Sequence, residues 1–220
     1  MINEVYLYLL EKRNASIQEL TSRYRIARET ILDYIRSLGD VVVVQNDHIM
    51  VSKPILMAVH LLSRGLSFKK VARHLTWKDF EEFSAEILRA HGYGVIRKLR
   101  LTRPVRLEID VIGIDTGSRR GLIIDCKHWA RGISRSVLRE IAYKHIERTT
   151  KLIRYISWAK PKHPILGRMS KAYPIIVTLT TPIIRVVDNV LIVSIQEFNQ
   201  FLIDLPIVLD TYGVTPLKVG

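Results

Sequence analysis

An α/β fold, with a mixed sheet flanked by helices and a small helical module ahead of it, is what this sequence predicts. Three observations point to it. The first 52 residues carry helix-period segments closed by a hairpin signal. From Trp77 onward, helical stretches alternate with β-rich runs. Hydrophobic residues make up 48% of the 220, enough for a proper core and unlike a disordered chain.

The elements follow in order. In "INEVYLYLLEK" the apolar residues Ile2, Val5, Leu9 and Leu10 share one helical face. "NASIQELTSRY" offers Ser16 as an N-cap with Glu19 three residues on, the capping-box spacing. "ARETILDYIRSLG" sets Ile31, Tyr34, Ile35 and Leu38 on one face, with Gly39 as its stop. "VVVVQNDHIMV" is two β-rich runs around Gln45-Asn46-Asp47, a hairpin. Three helices and a hairpin in about 50 residues is the order of a winged helix-turn-helix, whose third helix enters the major groove. Arg25, Arg28 and Arg36 then lie near phosphates. Residues 1–52 are read as this module, and 53–76, helical from Pro54 and broken near Gly65, as a connector.

Residues 77–220 are read as a second domain. "WKDFEEFSAEILRAHGY" is an amphipathic helix ending at Gly92. "GVIRKLRL" and "VRLEIDVIGID" are strands joined by a turn at Thr102-Arg103-Pro104, and "DTGSRR" turns into the strand "GLIIDCK". A basic helix over roughly 134–157 stops before Pro161 and Pro164. "YPIIVTLT" and "NVLIVSI" are two further strands, and "QEFNQFLIDL" is a closing helix.

Charge narrows the function. The formal net charge is +13, which favours an anionic partner. Residues 131–171 hold eleven Lys and Arg against Glu140 and Glu147. A second cluster comprises Arg97, Lys98, Arg100, Arg103 and Arg106. Such concentration of one sign points to nucleic acid. A single cysteine excludes an internal disulfide and a cysteine-based zinc site, as expected in a reducing cytoplasm. No signal peptide and no membrane-spanning run is expected.

The chemistry centres on "LIIDCKHWARG", residues 122–132. Alternation sets Asp125 and Lys127 on one face of a buried strand, where an unpaired charge costs several kcal/mol in order of magnitude. An ordinary ion pair answers that cost; so does a metal held by Asp125 and other carboxylates. In "RLEIDVIG" of the preceding strand, Glu108 and Asp110 share a face, and an antiparallel neighbour brings Asp110 towards Asp125. Hard oxygen ligands without a His or Cys set favour Mg2+ or Mn2+. Cys126 has no identifiable activating partner and reads as a packed strand residue.

Glu81 in "FEEFSAEILRAHGY", Asp110 in "EIDVIG" and "DCK" at 125–127 resemble the E…D…(D/E)xK pattern of restriction-endonuclease-like nucleases. The phrase "FEEFSAEILRAHGYGVIR" is similar to Mrr-type restriction endonucleases and archaeal Holliday junction resolvases, over about residues 77–200. The resemblance implies that Asp110 and Asp125 bind the metal, with the Cys126 carbonyl as a further ligand and Glu81 completing the site. It implies that Lys127 orients or activates the attacking water. Ile109 stands where the family's name has proline, and Glu82 competes with Glu81 for the helix role.

The expectation is therefore a cytoplasmic, Mg2+- or Mn2+-dependent DNA endonuclease, paired as a homodimer by resemblance alone. His128 and Trp129 are weighed as strand contacts or as a cap on the strand end. Arg135, Arg139, Lys144, Arg148 and Lys151 are expected at flanking phosphates, and His145 has no special role. The alternatives are a DNA-binding or structural protein on a nuclease-like fold, and a winged-helix regulator whose larger domain senses a ligand.

Overall fold

The structure is a computed structural model, and it describes residues 1–67, 70–71, 73–127, 134–179 and 181–219. His128 and Trp129 lie outside the described residues. Internal packing divides the chain into two compact units, Met1–Asp79 and Phe80–Gly220. Among the described residues, no helix is long and apolar enough to cross a membrane.

The first unit runs α1 (Ile2–Lys12), β1 (Asn14–Ser16), α2 (Ile17–Tyr24), α3 (Arg28–Arg36), β2 (Val42–Gln45), β3 (His48–Val51) and α4 (Pro54–Ser63). The Ser16 hydroxyl caps α2 by accepting the Glu19 backbone N–H at 3.0 Å. Asn46 and Asp47 both take positive φ, 48° and 68°, the left-handed pair that a two-residue hairpin requires. β1 was no part of the sequence reading. It is three residues long, pairs antiparallel with β3, and buries only Ala15 fully, too little for an alternating pattern to register. Tyr6 is fully buried among the helices, and its hydroxyl donates to the Tyr34 carbonyl at 2.7 Å. α4 packs on α1.

The second unit is a seven-stranded mixed sheet between helices. The helix α5 (Trp77–Ala90) leads into it, with Phe80, Glu81, Ser84, Ala85 and Leu88 on its buried stripe. Then come β4 (Gly94–Leu101), β5 (Leu107–Asp115), β6 (Arg120–Lys127), α6 (Arg135–Arg154) and α7 (Ile156–Ala159). β7 (Lys171–Thr178), β8 (Val186–Val187), β9 (Val190–Ser194), α8 (Phe198–Ile203), α9 (Leu205–Thr211) and β10 (Leu217–Lys218) complete it. The strand order is β4-β5-β6-β7-β9-β8, with β10 beside β7. β4, β5 and β6 form an antiparallel meander, whereas β6, β7 and β9 run parallel. Parallel neighbours need a crossover, which α6 supplies between β6 and β7.

The two helical layers meet opposite faces of β6. α5 lies over the face carrying Cys126, whose sulfur is 3.8 Å from the Ser84 hydroxyl. Gly113 permits that approach: a Cβ there would stand 2.7 Å from the Leu88 side chain. α6 covers the other face, where Leu152 joins Ile112 and Ile123 in one apolar cluster. Where a single closing helix was expected, two short ones stand. Pro206 has no N–H to extend α8, and instead occupies the first turn of α9.

Candidate active site

β5 and β6 pair with Val111 opposite Ile124, so one step further along the ladder sets Asp110 opposite Asp125. On the other side of β5, Arg97 pairs with Val111 and Leu99 with Ile109, which sets Lys98, at φ 50°, opposite Asp110. A lysine and two aspartates thus share one row across three strands. The row lies near the carboxyl ends of β6, β7 and β9, where the parallel register aligns Lys127, Thr178 and Ser194. Open α/β sheets place their ligands at this edge.

Asp125 is 2% exposed and receives two cations. The Lys127 ammonium donates to Oδ1 at 3.1 Å and stands 2.9 Å from Oδ2. The Arg148 guanidinium reaches Oδ1 from α6 at 2.9 Å. Asp110 accepts the Cys126 backbone N–H at 2.8 Å through Oδ2. Burial pushes the Asp110 carboxyl up to about 6; the Cys126 N–H opposes that shift, Asp125 adds to it, Lys127 opposes it and Glu81 adds to it.

Glu81 is 1% exposed and comes from the α5 layer, with its Oε2 3.3 Å from the Lys98 ammonium. Glu82, half-exposed, pairs with Arg97 and lies 3.9 Å from Arg89, so the carboxylate directed at the sheet is Glu81. Glu108 is exposed and takes a hydrogen bond from Arg100 at 2.7 Å, away from the pair. Cys126 is buried, and burial raises its thiol well above the ordinary range, which leaves it a packing residue.

As a donor set, Asp110, Asp125 and the carbonyl of Cys126 are hard oxygens suited to a divalent cation. Oδ2 of Asp125 and Oε2 of Glu81 are buried and already face ammonium groups, Lys127 at 2.9 Å and Lys98 at 3.3 Å, so a divalent cation at either oxygen would share it with that lysine. Among the described residues, no three His, Cys, Asp or Glu side chains gather into a metal-holding cluster. The residues therefore fit an ion held by two carboxylates, with Glu81 acting through Lys98 and the local field.

The cations expected at phosphates divide in two. Arg28 pairs with Asp47, Arg36 with Asp33, Arg97 with Glu82, Lys98 with Glu81, Arg100 with Glu108, Lys144 with Glu140 and Arg148 with Asp125. Among the described residues, Arg25, Arg135, Arg139 and Lys151 have no ion pair. Two features escaped the sequence reading. Arg148 faces inward to Asp125. His145, 1% exposed, places Nε2 2.8 Å from the Ile123 carbonyl, and burial holds its imidazole down at about 4. The signal was available: Leu138, Ala142, His145, Thr149 and Leu152 form one buried stripe of α6.

A family model described as a restriction endonuclease, the Mrr catalytic domain, matches residues 72–159. Over this segment the chain is similar to restriction-endonuclease catalytic domains. It contains Glu81, Asp110, Asp125, Lys127 and Arg148, so every group around the carboxylate pair falls inside the restriction-endonuclease-like match. Among solved structures, the protein VC1899 from Vibrio cholerae is 12% identical with a TM-score of 0.35 over 97% of this chain. The restriction endonuclease FokI is 14% identical with a TM-score of 0.32 over 80% of it. The chain spans 52% of the first of these and 36% of the second. No curated protein matches the chain.

Proposed function

We propose that the chain is a metal-dependent DNA endonuclease that hydrolyses phosphodiester bonds in duplex or branched DNA, in the manner of Mrr-type enzymes or junction resolvases. The observation that carries this reading is Asp110 opposite Asp125, with Lys127 on the latter's carboxylate, inside the restriction-endonuclease-like segment. A bound Mg2+ or Mn2+ supplies a nucleophile at neutral pH and stabilises charge on the phosphate. Asp110 and Asp125 would hold that ion, with the Cys126 carbonyl as a further candidate ligand. Lys127 orients the attacking water and offsets charge developing on the phosphate oxygens. Glu81, linked to Lys98, tunes the site from α5. The first unit, with its helix-strand-helix-helix-hairpin order, supports a winged helix docking on duplex through α3. A homodimer gives one such site per strand.

The test is incubation of the purified protein with linear and branched DNA in Mg2+ or Mn2+, and then in EDTA. Cleavage is expected with the ions, lost on chelation, and lost in Asp125→Ala and Lys127→Ala. Unchanged cleavage in both variants removes the assignment. One observation favours a second reading, a DNA-binding protein that keeps the nuclease scaffold without cutting. Asp125 is already neutralised by both Lys127 and Arg148, as a structural carboxylate is. Binding without cleavage under any ion selects it.

A further inference from the structure

Beside the carboxylates, a cavity of about 340 Å³ opens between the end of β6 and α6. It is lined by Lys127, Ile141, Lys144, Glu147, Arg148 and Lys151. The α6 members recur at three- and four-residue steps, so they form one stripe along the helix. Four of the six lining side chains are cationic and one is apolar. That composition suits a small, multiply charged oxyanion and disfavours a hydrophobic ligand. Glu147, the one carboxylate in the lining, offsets only one of the four cations. The Lys144–Glu140 pair is an exposed helical i,i+4 pair, of little strength and easily exchanged for a stronger acceptor. Lys151 forms no ion pair among the described residues. Arg148 reaches Asp125 with one end, and its Nε is buried without a hydrogen-bond partner among the described residues.

We propose that this cavity holds a backbone phosphate of a nucleic-acid strand, next along the chain from the phosphate set over Asp125 and Lys127. The proposal rests on the nuclease reading for the path of the strand. A phosphate here accepts from Lys144, Lys151 and the Arg148 guanidinium. It also competes with Asp125 for the Arg148 guanidinium, so seating the strand loosens one of the two cations that cover the acidic pair. Arg148 is a positioning residue that touches both places.

The test is done on the full chain in EDTA, where no cutting occurs. A single-stranded oligonucleotide carries one uncharged methylphosphonate linkage, moved step by step along its length. One position is expected at which wild-type binding falls about tenfold, the worth of one charge-assisted contact. The Lys144→Gln/Lys151→Gln variant, altered at exposed positions only, is expected to bind more weakly overall and to show no such position. A flat scan of the wild type, or a position effect that survives in the variant, overturns the assignment. In a second arm, inorganic phosphate is titrated while backbone amide resonances are followed. Saturable shifts confined to Ile141, Lys144, Glu147 and Lys151, and absent from the variant, support the site. Shifts of equal size over the Arg97–Arg106 segment overturn it. Saturable phosphate binding together with a flat linkage scan identifies a free-phosphate site and rejects the strand. Neither arm reads cleavage, so an inactive enzyme leaves the result standing, and an active one with a flat scan loses the pocket alone.

Discussion

Asp110 is a carboxylate the fold would rather keep neutral. Its acidity is displaced from 3.8 to about 6, chiefly by burial. The sign follows: well below pH 3.8 the group is protonated in both folded and unfolded chains and costs nothing. As pH rises from 3.8 through 6, the unfolded chain ionises more readily and stability falls, with the full cost present above that window. Asp110→Asn keeps an oxygen for the Cys126 N–H and removes the charge. In EDTA at pH 7 it is expected to stabilise the protein by about 2 kcal/mol after screening, with the gain vanishing below pH 4. Urea unfolding at two pH values measures this. The same variant is expected to abolish cleavage. The aspartates and Lys127 were legible in the sequence because charges at a buried strand end stand out. The inward turn of Arg148 was not, since an arginine on a basic helix looks the same whether it meets solvent or a carboxylate 23 positions away.

At the scale of elements, the placement of α5 over the sheet depends on Gly113, where any Cβ meets the buried Leu88. Gly113→Val is expected to cost about 1–3 kcal/mol in chemical denaturation, by displacing the helix that carries Glu81. Just past the end of β9, Glu197 receives both guanidinium nitrogens of Arg185 at 2.6 and 2.9 Å and the Ser194 hydroxyl at 2.7 Å. These hold its carboxyl down at about 2, from an ordinary 4.5. Its contribution is complete above pH 4.5 and is lost as pH falls towards 2. Arg185→Gln is therefore expected to flatten acid unfolding across that interval, followed by circular dichroism. Long elements with strong periodicity, such as α1, α5, β5, β6 and α6, were readable from pattern alone. β1, β8 and β10 were not, because strands of two or three residues are defined by their partners in space. The split between α8 and α9 was announced by Pro206, and the run of apolar residues around it concealed the break.

For the whole molecule, a net charge of +13 means that the nucleic-acid binding proposed above is expected to depend on ionic strength. Arg135, Arg139 and Lys151 are cations of α6 with no carboxylate partner among the described residues. Replacing all three with glutamine is expected to reduce the slope of log affinity against log salt by about 2–3, measured by anisotropy on duplex and on branched DNA. Equal slopes in wild type and variant place the phosphate contacts elsewhere.

The parallel run of β6, β7 and β9 brings three strand ends, Lys127, Thr178 and Ser194, to a single rim. The ladders beneath that rim are held by backbone hydrogen bonds, so side chains at the three ends can be exchanged while the sheet stays as it is. Under the nuclease function proposed above, Thr178 and Ser194 are therefore the positions where substitution is expected to change which nucleic-acid shapes are accepted while leaving the acid pair untouched.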